Sequence, residues 1–118
     1  MSSALHAQSF YKQVRDLGLV WSIRDEGGYP APINREGFRA QPFWSSRSRA
    51  EKIIASMPAY NDFLPVEIPL DVFLDRWLPG LENDGILVGV NWSGNRATGY
   101  DIPPSQVAEN LRSAAGQG

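Results

Sequence analysis

Asp71 and Asp75 come closer than any other residues in this chain to a catalytic pattern. On a helix they lie one turn apart, close enough to interact, and a pair of carboxylates is the equipment of glycoside hydrolysis. With Glu82 or Asp84 they could also offer oxygen ligands to a cation, although the alternating acids of a calcium loop are absent. The same two acids are equally the wet face of an amphipathic helix. Other chemistries lack members. His6 is the single histidine and there is no cysteine, so a histidine or thiolate metal site and a Ser-His-Asp unit have nothing to assemble from. No G-x-S-x-G elbow occurs, and Gly27-Gly28 does not lead into a helix as a phosphate-binding loop must. We therefore expect no catalytic residue, no metal and no cofactor.

Phe38, Phe43 and Trp44 lie among arginines, a mixture that can stack and neutralise single-stranded nucleic acid. The net charge of −2 argues against that partner. Charge is unevenly spread along the chain. Residues 35–52 hold Arg35, Arg39, Arg47, Arg49 and Lys52 against Glu36 and Glu51. Residues 62–84 hold six carboxylates against Arg76 alone. If the two stretches occupy different faces, the molecule is electrically polar and could steer a charged protein partner. The four tryptophans are the other unusual feature. Trp21 and Trp77 are expected in the core, since each buries a large area. Trp44 and Trp92 end their strands, and one of them is expected to be exposed as an interface anchor. The candidate interaction surface is Trp44, Arg47, Arg49, Asp71, Asp75 and Trp92.

The elements that position these residues follow from periodicity. Leu70, Phe73, Leu74, Trp77, Leu78 and Leu81 recur every three to four residues, a helix with one apolar face. Pro79 should kink or end it, and Asn83-Asp84-Gly85 is a turn signal. Residues 86–92, rich in β-branched residues, read as a central strand. Ile86, Val88, Val90 and Trp92 should face one way, with Gly89 on the other side leaving room for something packed across it. Upstream, residues 3–17 read as a helix with Leu5, Ala7, Phe10, Val14 and Leu17 near one stripe, closed by Gly18. Strands follow at 19–24, 29–33 and 38–44, a meander whose second member carries Pro30 and Pro32 and so belongs at an edge or is irregular. A helix over 45–56, apolar at Ala50, Ile53, Ile54 and Met57, is capped by Ser48 with Glu51, or by Ser45 or Ser46. A strand at 65–69, a tight turn at 93–96, a returning strand at 97–102 and a last helix begun by Pro103-Pro104 complete the order α-β-β-β-α-β-α-β-β-α. At 118 residues, 42% apolar, this is one domain with one core. The expected class is α+β: a single, mostly antiparallel sheet of five to six strands with helices mainly on one face.

The runs W-S-I-R-D-E-G-G-Y at residues 21–29, P-F-W-S at 42–45 and V-E-I-P-L-D-V-F-L-D-R-W-L-P-G-L-E-N-D-G-I-L-V-G-V-N-W at 66–92 resemble a family of small bacterial proteins catalogued as domain of unknown function 2750. The resemblance brings no activity, substrate or cofactor. Its small, acidic, single-domain character is similar to that of bacterial immunity proteins, which bind and block a toxin. The expectation is a non-catalytic, protein-binding domain, an immunity-type inhibitor being one form of it; the alternative is a small-molecule-binding or hydrolytic domain that uses an acidic cleft. The partner is then another protein, with self-association through a sheet edge compatible with it. With no apolar run of 18 residues, no membrane span is expected. The absence of a secretory leader pattern and of cysteine suggests a cytoplasmic setting.

Overall fold

The computed structural model describes residues 2–93 and 98–117, and side chains over 8–93 and 100–113. The expected turn over 93–96 lies, past Ser93, outside the described residues, as does the side chain of His6. Helix α1 (Ser2–Leu17) ends as expected at Gly18, whose φ of +70° is left-handed and whose N–H bonds Val14 O at 2.8 Å. The stripe falls one residue short of expectation, since Leu17 is 61% exposed while Phe10 and Val14 are fully buried. Strand β1 (Leu19–Arg24) follows, then a turn closed by reciprocal bonds between Asp25 and Gly28.

The expected meander does not form. Pro30 and Pro32 offer no ladder donors, and the stretch after the turn makes only an isolated bridge, Ile33 to Arg39. β1 pairs instead with β3 (Leu64–Pro69), antiparallel, from Leu19 opposite Pro69 to Arg24 opposite Leu64. β2 (Ala40–Phe43) pairs in parallel with β4 (Leu87–Ser93), and β4 pairs antiparallel with β5 (Thr98–Ile102). The class is α+β, but the single sheet resolves into two small ones, β1-β3 and β2-β4-β5. They meet at one bridge, where Trp21 and Trp44 exchange backbone bonds of 2.8 and 2.7 Å. A parallel pair needs a long crossover. Here it is α2 (Arg47–Ser56), a 3₁₀ turn, β3 and the long helix α3.

α3 covers residues 70–84 as three continuous segments: Leu70–Val72, a π-turn over Phe73–Trp77, and Leu78–Asp84. Pro79 therefore neither ends nor interrupts it. The Leu78 N–H reaches back five residues to Phe73 O, and this wider turn directly before Pro79 is the accommodation that a helix makes when a regular ladder is blocked. Gly85, at φ +70°, caps the end, with Ile86 N bonded to Leu81 O at 2.9 Å. The last helix, α4, is Pro104–Gln117.

Alternation along the strands separates two apolar clusters. Phe10, Val20, Phe43, Phe73, Leu78, Leu81, Val88, Val90, Val107 and Leu111 join α1, α3 and α4 on one side. Ile23, Ala40, Trp44, Ala50, Ile53 and Trp92 join α2 on the other. Three helices thus share one face, as expected, and α2 covers the opposite one.

Candidate functional site

Trp92 breaks the expected facing of its strand. Asn91 has φ +49°, and the ladder shifts register between Val90 and Ser93. The left-handed residue turns Trp92 out of line with Val88 and Val90 and lays its indole across Gly89, on the α2 side. Gly89 does leave room for a neighbour, and that neighbour is Trp92. The site of this bulge is fixed by buried polar groups. The Ser45 N–H donates to Asn91 Oδ1 at 2.9 Å, Asn91 Nδ2 donates to Ser45 Oγ at 3.1 Å, and Ser45 Oγ donates to Gln13 Oε1 from α1. Backbone held in a sparsely populated region by a satisfied network is a feature of functional sites.

Above this network lies a cleft of about 570 Å³. Gln13 forms one wall. Ser46 with Ser48, Arg49, Lys52, Ile53 and Ser56 of α2 forms another, and Trp92 and Ser93 close the end. α2 starts here because Ser46, in extended conformation, accepts a bond from Arg49 N at 3.3 Å. The cap is thus Ser46, not the Ser48–Glu51 box, and Glu51 is paired with Arg47 at 2.9 Å instead. Arg47 also stacks over the Trp21 ring at 5.7 Å. Among the described residues Arg49 and Lys52 form no ion pair, and no carboxylate lines the cleft. The cleft is therefore cationic, rimmed by hydroxyls, and suited to a negatively charged group.

The expected interaction surface divides. Arg49 and Trp92 meet in this cleft and Arg47 lies on the same helix. Asp71 and Asp75 lie on the exposed side of α3, across the sheet. Asp71 Oδ1 accepts from the neighbouring Val72 N at 2.9 Å. Neither acid lines this cleft or the smaller one beside α3, although Asp84 lines the latter. Among the described residues no group of three His, Asp or Glu could hold a metal ion.

Of the expectations for the tryptophans, the exposed anchor fails, whereas Trp21 and Trp77 pack, half-buried, against the two core clusters. Trp44 is fully buried and donates Nε1–H to Trp92 O at 2.8 Å. Trp92 is 6% exposed and donates to Asp101 Oδ1 at 3.0 Å, and Asp101 Oδ2 in turn accepts from Asn34. Neither stands free as an anchor, because each indole N–H finds its partner inside the α2-side core. Trp21 and Trp77 are the half-buried pair.

Sequence reasoning missed Gln13, Ser46, Ser48, Ser56 and Ser93 as cleft residues. The serines around α2 were visible only as capping signals, and Gln13 carried no signal at all, being brought in from 32 positions before Ser45.

A family model described as "Protein of unknown function (DUF2750)" matches residues 7–111. Among solved structures, Tic22 of Anabaena, described as a protein-transport protein, is similar at 17% identity with a TM-score of 0.41. The match covers 66% of this chain and 45% of that one, so this chain spans less than half the length of that protein. No curated protein matches the sequence. Among the described residues no helix is long and apolar enough to cross a membrane.

Proposed function

The chain belongs to the DUF2750 family, whose description names no activity, and from the geometry of the α2 cleft we propose that it is a non-catalytic domain that binds another protein through an acidic segment of that partner. The observation that carries this is the cleft itself: among the described residues, two cations that form no ion pair, Arg49 and Lys52, lie with four serines and no carboxylate in the lining. The acids of α3 lie on the other side of the sheet, so the field of the molecule would orient an acidic partner toward α2. An immunity-type inhibitor, which covers the working surface of a toxin, is one form of this reading. Self-association is compatible with it, since β3 and β5 each pair on one side only.

The test is affinity capture by the full chain, its Arg49→Glu/Lys52→Glu variant and its Asp71→Asn/Asp75→Asn variant, at low and at raised salt. The reading expects a protein held by the parent and the Asp variant, released by salt, and lost on charge reversal in α2. Capture that ignores the α2 reversal, or no capture at low salt, overturns it. Sedimentation at two concentrations measures the self-association.

A further inference from the structure

Gln41 is the one described side chain with a buried nitrogen that has no hydrogen-bond partner. It is only 5% exposed. Leaving such a donor unsatisfied costs about 1–3 kcal/mol, and folded proteins seldom tolerate it without a reason. Strand alternation turns Gln41 to the same side as Phe43, away from the α2 cleft. There it lines a separate hollow of about 270 Å³ between β2 and α3.

The walls of that hollow are apolar: Trp77, Leu81 and Ile86. Trp77 is a fixed wall, packed edge-on against Tyr29 and Phe43 with ring centroids 4.9 and 5.8 Å apart. Arg76 and Asp84 add one charge of each sign, and they form no ion pair with each other. Gly80 completes the lining. Glycine inside a helix is about 1 kcal/mol worse than alanine, its φ here is not positive, and an added Cβ would meet nothing within 4 Å. Neither backbone nor packing demands glycine at this position, and the open space beside it belongs to the hollow.

We propose that this hollow binds a small molecule with a flat or branched apolar body and one carbonyl or carboxylate oxygen. The Gln41 Nε2 is closed off from solvent, so binding requires its amide to turn toward the hollow; the oxygen then accepts the Nε2–H, and the body packs between Trp77, Leu81 and Ile86. This is independent of the α2 cleft and of any partner bound there. Polar groups few in number and placed at the floor of an apolar pocket are how small-ligand sites obtain orientation.

The experiment is a titration of the isotopically labelled full chain with benzamide, benzoate and toluene, following the Gln41 side-chain amide and the Trp77 indole by NMR. Benzamide and benzoate separate a carbonyl from a carboxylate preference; toluene lacks the acceptor. The acceptor probes should saturate and bind about fivefold to tenfold more tightly than toluene, the value of one hydrogen bond. Gln41→Leu should abolish that preference while raising Tm, because it removes the orphaned donor. Gly80→Leu should fill the hollow and abolish binding of all three probes in a chain that still folds. The proposal is overturned if no probe saturates and only solvent exchanges at Gln41, if the acceptor preference survives Gln41→Leu, or if Gly80→Leu leaves binding unchanged.

Discussion

The indole of Trp92 occupies the space that a side chain at Gly89 would need. A Cβ at residue 89 would come within 2.6 Å of Trp92 Cζ2 and closer still to Cε2 and Nε1. The ring cannot retreat freely, since its Nε1 is bonded to Asp101 and its backbone carbonyl to Trp44 Nε1. Gly89→Ala should therefore destabilise the fold by about 3 kcal/mol, the upper part of the range for overpacking. Urea unfolding checks this, and a loss below about 1 kcal/mol would show that the ring moves aside easily.

Asn91 combines a left-handed backbone with side-chain bonds to Ser45, and two substitutions separate these contributions. Asn91→Gly keeps the backbone conformation at ease and loses the bonds. Asn91→Ala loses the bonds and adds the strain of a Cβ at φ +49°. The alanine variant should be the less stable of the two by about 1 kcal/mol. Equal stabilities would place the role of Asn91 in its hydrogen bonds alone.

The start of α2 offers a choice between neighbouring serines. Ser46→Ala removes the acceptor for Arg49 N and should cost about 1 kcal/mol. Ser48→Ala, inside the first turn, should change stability by less than about 0.5 kcal/mol. Thermal unfolding of both variants decides it, and the reverse ranking would restore the Ser48–Glu51 capping box.

Burial raises the hydroxyl pKa of Tyr11 and of Tyr60 above 10.0, and for Tyr11 the bond from Asn110 only partly offsets this. In the unfolded chain both phenols ionise near their ordinary value. Stability from keeping them neutral is thus fully present below pH 10 and is lost as pH rises above it through the folded values. Stability measured from neutral pH upward should be flat with respect to these groups and then fall in the alkaline range. Tyr11→Phe/Tyr60→Phe should flatten that fall, and an unchanged alkaline slope would count against their burial.

The helices and most strands were legible because their signals are local. The stripe of α3 and the Gly18 and Gly85 ends all depend on residues within a turn or two of each other. Pairing is not local. Nothing near Leu19 announces that its partner is Pro69, and Pro30 and Pro32 show only which partner β1 lacks. A single left-handed residue, Asn91, then reverses the facing of Trp92, because alternation holds only while the ladder is regular. For the site, the cations of α2 were readable as a charged run, whereas Gln13 meets Ser45 and Asn91 only after three elements have packed. Gln41 was not singled out by sequence at all, since its missing partner is a property of the packed core.

The parallel pairing of β2 with β4 fixes an order of events during synthesis. β4 is the middle strand of its sheet and supplies Val88 and Val90 to one cluster and Leu87 and Trp92 to the other. Everything from β1 to α3 leaves the ribosome before β4, and its other neighbour, β5, only after it, so both apolar clusters lack their shared strand until late in synthesis. Apolar surface left open in that interval is the kind that favours aggregation of a nascent chain.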